Sequence, residues 1–210
     1  MIEIFTDFDG TLTDGDSIVF LTREFGCGEA HQNSLLSKYQ RGEIDEFELI
    51  REELATVRIS WPEAAQVLTR KISLDPSFFD FLSWCRSHCH PISVVSSGVQ
   101  QVVSLFIGEL GIPFFAHPVE VTENGWLYQK NENYEKSSIL RKARSRASIV
   151  YIGDGISDIR AVPYADVLFA KRRLAQYCRE QSISFFPFVS FQDVQKKLNN
   201  LIEEGVFEKI

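Results

Sequence analysis

The segment Ile2-Glu3-Ile4-Phe5-Thr6-Asp7-Phe8-Asp9-Gly10-Thr11-Leu12-Thr13 follows directly on Met1, an apolar run that breaks off at two aspartates two residues apart with a glycine behind them. Side chains at i and i+2 of an extended segment point the same way, so Asp7 and Asp9 are expected to face one space at a strand's carboxyl end. Two carboxylates there repel each other. The arrangement is tolerated when a divalent cation lies between them or when one keeps its proton. An Asp-Gly turn closing a strand is the plain alternative for this pair taken alone.

A second stretch repeats the pattern. Ser148-Ile149-Val150-Tyr151-Ile152 reads as a buried strand, and Gly153-Asp154-Gly155-Ile156-Ser157-Asp158 leaves it with two more carboxylates. Oxygen ligands with no His or Cys among them favour a hard ion, and Mg²⁺ retaining waters suits them better than an all-protein Ca²⁺ cage. An Asp-rich turn capping the next helix is the structural alternative.

Between the two loops, residues 14–74 show helical periodicity and no strand pattern: Ile18, Leu21 and Phe25 form one stripe, and Phe47, Ile50, Leu54 and Val57 another. Ser60-Trp61-Pro62-Glu63 starts a further helix. From Asp75 onward helices and strands alternate. A helix carrying Phe78, Phe79, Leu82 and Cys85 precedes the strand Pro91–Val95, which ends at Ser96-Ser97-Gly98. The next helix has Val99, Val102, Val103, Phe106, Ile107 and Leu110 on one face and stops at Gly111. Glu123-Asn124-Gly125 marks a hairpin, Lys136 opens a helix, Val167–Ala170 is a strand, and two helices finish the chain. This order implies an α/β fold with a parallel sheet covered on both faces, and a ligand site beyond the strands' carboxyl ends.

Ser96 offers a hydroxyl at one such end, the Ser97-Gly98 amides are expected at a helix start that favours anions, and Lys136 offers a point charge for a phosphate oxygen. Singly, the serine also reads as a helix cap and the lysine as a solvated surface charge. The series Asp-x-Asp, Ser, Lys, Asp-x-x-x-Asp along successive elements gives them weight.

Composition sets the bounds. The 210 residues are 44% hydrophobic with 17 Phe, enough to fill a core, and the formal charge of -7 argues against a nucleic-acid or anionic-membrane surface. An anionic substrate would need a local positive site. No apolar run approaches the roughly 20 residues of a membrane span and no basic leader precedes the first strand, so a cytoplasmic protein is expected, as monomer or homodimer. Cys27, Cys85, Cys89 and Cys178 are too scattered for a disulfide framework. Cys85 and Cys89 share a face if helical, but no second Cys/His pair at ligand spacing accompanies them, and buried helical cysteines are expected. His31 and His117 receive no role.

These motifs resemble the haloacid dehalogenase superfamily of phosphatases: DFDGT at Asp7, VVSSG around Ser96, Lys136, and GDGISD at Asp154, in the family's order. The resemblance implies a Rossmann-like core formed by residues 1–13 and 75–210 and a helical-bundle cap formed by 14–74, as in the branch that includes phosphoserine phosphatase. It implies that Asp7 is the nucleophile that forms an aspartyl-phosphate, and that Asp9 protonates the leaving oxygen and later deprotonates water. It further implies that the Asp7 carboxylate, the Asp9 carbonyl and Asp154 hold Mg²⁺, that Ser96, Ser97 and Lys136 meet the phosphate, and that Asp158 orients a metal water or Lys136. The ion-pumping ATPases of the superfamily carry Thr in place of this second acid, and the dehalogenases lack it. An intact Asp9 therefore favours phosphoester hydrolysis or phosphoryl transfer.

The substrate is expected to be a small phosphomonoester. Asp16 stands where phosphoserine phosphatases have a glutamate that meets the substrate's ammonium, and it reads equally as the N-cap of the helix at Ser17. Ser97 and Ser157 depart from that enzyme's usual Gly and Asn. A closer similarity, through DFDGTLTDGDS, YIGDGISD and the segment Leu174 to Phe188, is to the methionine-salvage 2-hydroxy-3-keto-5-methylthiopentenyl-1-phosphate phosphatases. Phosphoserine hydrolysis and phosphoryl transfer to an alcohol are the alternatives. The segment Leu174 to Phe188 is expected to lie away from the site, and Arg23, Arg41, Arg51 and Arg58 are candidates for a second anionic group.

Overall fold

Five consecutive residues of the first strand, β1 (Ile2–Thr6), are buried, which a strand achieves only inside a sheet covered on both faces. A computed structural model describes residues 1–131 and 134–208 and places β1 at the centre of such a sheet. Its partners are β2 (Ile92–Val99), β3 (Phe114–His117), β6 (Ser148–Gly153), β7 (Val167–Ala170) and β8 (Phe186–Pro187), in the order β3-β2-β1-β6-β7-β8, all pairs parallel. The separate hairpin pairs β4 (Val119–Thr122) with β5 (Gly125–Tyr128).

Period-two alternation divides the sheet's side chains between two cores. Ile2, Ile4, Val150 and Ile152 face α5 (Ser77–Ser87), α6 (Gln100–Ile107) and α9 (Phe191–Glu203). Phe5, Ile149, Tyr151 and Leu168 face α7 (Lys136–Ala143) and α8 (Arg172–Glu180). The buried stripe of α5 is Phe78, Phe81, Leu82 and Cys85. Phe79, expected on that stripe, lies one position off it and is 46% exposed. The helix ends at Ser87, so Cys89 is exposed in the following turn with a positive φ of 54° and does not share a face with Cys85. Burial alone pushes the Cys85 thiol up to about 12, so it is an inert core residue.

Between β1 and α5 the chain makes α1 (Ser17–Phe25), α2 (Gly28–Gln40), α3 (Glu46–Leu54) and α4 (Trp61–Lys71). Local signals set their starts: Asp45 with Glu48 and Ser60 with Glu63 form capping boxes. The two chain crossings at the base of this insert lie side by side. Thr13 bridges Leu74, Asp14 N–H donates to the Ser73 carbonyl (3.0 Å), and Asp75 N–H donates to the Leu12 carbonyl (2.9 Å). The hairpin supports the insert from the other side. Trp126 is fully buried and donates its indole N–H to the Ile59 carbonyl (2.9 Å), while Phe47 packs on Tyr128 at 4.9 Å between centroids. At about 25 cal/mol per Å² over roughly 200 Å², burying that indole contributes about 5 kcal/mol before entropy. Among the described residues no helix is long and apolar enough to cross a membrane.

Candidate active site

The order of the sheet selects the place. The chain runs outward from β1 to β2 and β3 on one side and returns to β6 on the other, so a crevice opens beyond the carboxyl ends of β1 and β6. Asp7 prolongs the pairing there by donating its N–H to the Ile152 carbonyl (2.9 Å). Phe8 turns into the core, and its carbonyl accepts N–H bonds from Thr11, Leu12 and Thr13. This closes the loop tightly enough to bring Gly10 against the β6 loop. Gly10 has a φ of +72°, and a Cβ on it would lie 2.5 Å from Asp154 Oδ2, so no other residue fits.

Lys136, at the first position of α7, is the electrostatic centre. Its buried ammonium donates to Asp7 Oδ1 (2.7 Å), Asp158 Oδ1 (2.7 Å) and Ser157 Oγ (3.2 Å), which uses all three of its hydrogens. Burial opposes its charge, but the Asp158 and Asp7 carboxylates outweigh that effect and hold it well above the usual lysine value. Burial, then the charge of Asp158, pushes Asp7 well above the carboxylate range, with Lys136 pulling the other way. Asp154 is raised for the same two reasons.

Asp158 is 0% exposed and saturated. Lys136 and the Tyr151 hydroxyl donate to Oδ1, and the Asp154 and Gly155 N–H groups donate to Oδ2, each at 2.9 Å. A carboxylate has about four acceptor positions, so Asp158 has none left for a further ligand. Asp154 accepts from the Thr11 hydroxyl (3.1 Å) and from Arg172 Nη1 (3.1 Å). One carboxylate oxygen from each of Asp7, Asp154 and Asp158 lies within 4.8 Å of the others. This oxygen-only set suits a hard divalent cation, and Asp7 and Asp154 are the members with acceptor capacity to give it.

Asp9 points toward the insert. Its Oδ1 accepts the Ser17 N–H (2.7 Å) at the first turn of α1, and its Oδ2 sits over Gly98, where a Cβ would approach to 2.8 Å. Burial first, then the charge of Asp16, raises Asp9 to about 7. Asp16 caps α1 by accepting the Val19 N–H (2.9 Å) and at the same time lines the crevice. The N-cap reading of Asp16 is the one this geometry shows.

Ser96 is buried at the end of β2 and its Oγ accepts the Gly98 N–H (2.9 Å). This corrects one expectation: β2 runs on to Val99 and α6 starts at Gln100, so the Ser97 and Gly98 amides belong to a strand end and not to a helix start. The Ser97 carbonyl accepts the Tyr128 hydroxyl, and Ser97 lines the cavity beside Ser96.

The cavity has a volume of about 480 Å³ and reaches from Asp7 and Asp9 up to Gln32 and Glu53 of the insert. Of the four arginines singled out above, Arg23 lines it; Arg41 pairs with Glu43, and Arg58 donates to backbone carbonyls. Ahead of the segment Leu174 to Phe188, which does not line the cavity, Arg172 lines it and holds Asp154, and Lys171 donates to the Thr11 carbonyl (3.3 Å). The signal was present as Lys171-Arg172-Arg173 after a strand's carboxyl end. His117 is buried among Phe47, Tyr128 and Tyr134, and burial lowers it to about 4.

A parallel sheet with an acidic crevice at its switch point and an inserted set of helices over it is the architecture of the haloacid dehalogenase-like hydrolases. The model of that family matches residues 4–162, and the chain belongs to it. It is 34% identical to Pdp3-interacting factor 1 of Schizosaccharomyces pombe, over 94% of this chain and 95% of that protein. It is 31% identical to polyol phosphate phosphatase PYP1 of Saccharomyces cerevisiae, over 95% and 93%. The expected kinship with the 2-hydroxy-3-keto-5-methylthiopentenyl-1-phosphate phosphatases is also met: that of Bacillus thuringiensis is 30% identical over 96% of this chain and 98% of its own. In fold it is similar to a phosphoserine phosphatase solved as a phospho-aspartyl intermediate analogue, with a TM-score of 0.74 at 18% identity, covering 93% of this chain and 97% of that one. The chain is a hydrolase, and phosphoric monoester hydrolysis fits its site.

Proposed function

We propose that this protein is a cytoplasmic, Mg²⁺-dependent phosphomonoesterase that acts on a small phosphorylated metabolite through an aspartyl-phosphate on Asp7, with residues 14–74 as its cap. The reading rests above all on the pair at the end of β1. Asp7 is held by Lys136, and Asp9, facing the same cavity, has been raised to about 7. The Asp7 and Asp154 carboxylates and the Asp9 carbonyl would hold Mg²⁺, which would supply positive charge to the phosphoryl oxygens. Lys136 orients the Asp7 carboxylate for in-line attack on phosphorus. The Asp7 oxygen forms the new bond as the ester oxygen departs, and Asp9 gives its proton to that oxygen. Ser96, whose oxygen already accepts the Gly98 N–H, has its hydroxyl hydrogen for a phosphoryl oxygen. Ionised Asp9 then takes a proton from the water that attacks the aspartyl-phosphate, which returns Asp7 and releases phosphate. A pKa near neutrality suits a group that must both give and take a proton.

Two relatives carry names that suggest substrates, an enol-phosphate of methionine salvage and polyol phosphates. The buried polar groups of the cavity favour a hydroxylated leaving group. The test is phosphate release from a panel of both kinds together with phosphoserine, with Mg²⁺ and with EDTA, for the wild type and Asp7→Asn. Release that requires Mg²⁺ and disappears in Asp7→Asn is expected; release that survives that substitution would remove Asp7 as nucleophile.

A further inference from the structure

The insert contains polar groups that the phosphoryl chemistry does not use. Gln32 on α2 and Glu53 on α3 are 5% and 6% exposed, come from different helices, and line the same cavity as Asp7 and Asp9. Gln32 Oε1 accepts from Arg23 Nε (3.0 Å), which fixes the orientation of the amide. Its Nε2 then has no partner at hydrogen-bond distance among the described residues, and it lies close enough to Glu53 to favour that group's charged form while keeping an N–H for a ligand. A buried N–H without a partner is costly, and where it borders a cavity a ligand acceptor removes that cost. The Glu53 carboxyl places an acceptor on the same cavity wall.

Resting on the phosphatase reading above, we infer that Gln32 and Glu53 are the specificity-determining residues of the cap, and that they recognise a hydroxyl of a neutral, hydroxylated leaving group. Arg23 gives N–H groups to Glu29 (3.2 Å) and Gln32, and Arg172 to Asp154, while Asp16, Glu46 and Glu53 line the same cavity, a balance that disfavours a second anionic group. Phosphoserine in the experiment below separates an ammonium from a hydroxyl at this wall. A hydroxyl both donates and accepts, which is what an amide N–H beside a carboxyl requires. Glu53 is raised by burial and by Asp16 to about 7, with Gln32 tempering the rise, so at neutral pH it serves either as donor or as acceptor. The cavity volume of about 480 Å³ leaves room beyond a phosphate for a chain of several carbons.

The experiment is steady-state phosphate release by the full chain with Mg²⁺ on three esters. These are a sugar-alcohol phosphate, phosphoserine, and para-nitrophenyl phosphate, whose leaving group has no hydroxyl beyond the ester oxygen. The wild type is expected to prefer the sugar-alcohol phosphate. Gln32→Leu should lower kcat/KM for that ester by roughly ten- to a hundredfold, chiefly through KM, and change the para-nitrophenyl value by less than about twofold. Glu53→Met, which keeps the bulk of the side chain, should show the same split and serves if Gln32→Leu does not fold. Equal losses on the two esters, or a wild-type preference for phosphoserine or para-nitrophenyl phosphate, would overturn the inference and leave the phosphatase reading standing. A wild type that releases phosphate from none of the three would overturn both.

Discussion

Replacing Glu53 by Gln tests the electrostatics of the cavity without altering the residues assigned to phosphoryl transfer. Glu53 is almost fully buried, and its carboxyl is pushed from the ordinary 4.5 up to about 7, by burial first and then by the charge of Asp16. The sign follows from which state holds the proton. Below pH 4.5 both folded and unfolded chains keep it and Glu53 costs nothing. Between 4.5 and about 7 the unfolded chain releases it while the folded chain retains it, so stability falls as pH rises. At about 1.4 kcal/mol per pH unit, the cost grows to about 1.4 kcal/mol at pH 5.5 and levels off near 3 kcal/mol above pH 7.5. Glu53→Gln removes the titration and keeps the shape. Urea unfolding of both proteins at a series of pH values should therefore show the variant gaining about 3 kcal/mol over the wild type at pH 8 and about 1.4 kcal/mol at pH 5.5. For a chain of this size the larger value corresponds to roughly 6–12 °C in Tm. A stability difference that stays constant from pH 5.5 to 8 would refute the reasoning, because it would mean that Glu53 titrates alike in both states.

Three further outcomes are expected. Asp16→Asn keeps the cap of α1 but removes a charge that raises Asp9, so the alkaline limb of the pH profile of kcat/KM should move to lower pH. An unmoved limb would detach Asp16 from Asp9. Lys136→Met leaves Asp7 and Asp158 buried without their cation and should cost about 3–5 kcal/mol in urea unfolding with EDTA present, more at pH 8 than at pH 5. Mg²⁺ bound at the proposed site would relieve the repulsion among the same carboxylates, so it should raise Tm in the wild type, through about 2.7 kcal/mol of stability at a hundredfold excess over Kd, and should fail to do so in Asp154→Asn.

The central strands and their acidic loops were legible because their signals are local. An apolar run, a glycine and a carboxylate within ten residues specify a strand end that cannot stay buried. The edge strands were not, because β8 has only two residues, one of them Pro187, and β3 follows Pro113 without alternation. Both pair because neighbours present them with an edge: Phe186 opposite Phe169 and Phe114 opposite Val94. Arg172 was missed for another reason. As part of a basic run it reads as a solvated helix start, whereas its positive φ of 48° and its bond to Asp154 are set by tertiary contact. The approach of Gln32 to Glu53 across two helices is equally invisible in sequence spacing.

Asp9 shows how the two kinds of information combine. Its place two residues after Asp7 is written in the sequence, but its proton affinity is not a property of the β1 loop. The insert supplies much of it: Asp16, at the entry to α1, is the second cause of the rise after burial, and Ser17 N–H opposes it. A core without residues 14–74 would keep the Asp-x-Asp motif and lose both the Asp16 charge and the Ser17 hydrogen bond. The same helices place Gln32 and Glu53 over the leaving group. The segment that selects the alcohol thus also adjusts the acid that protonates it, so substitutions in the insert should change the pH dependence of turnover as well as the choice of substrate.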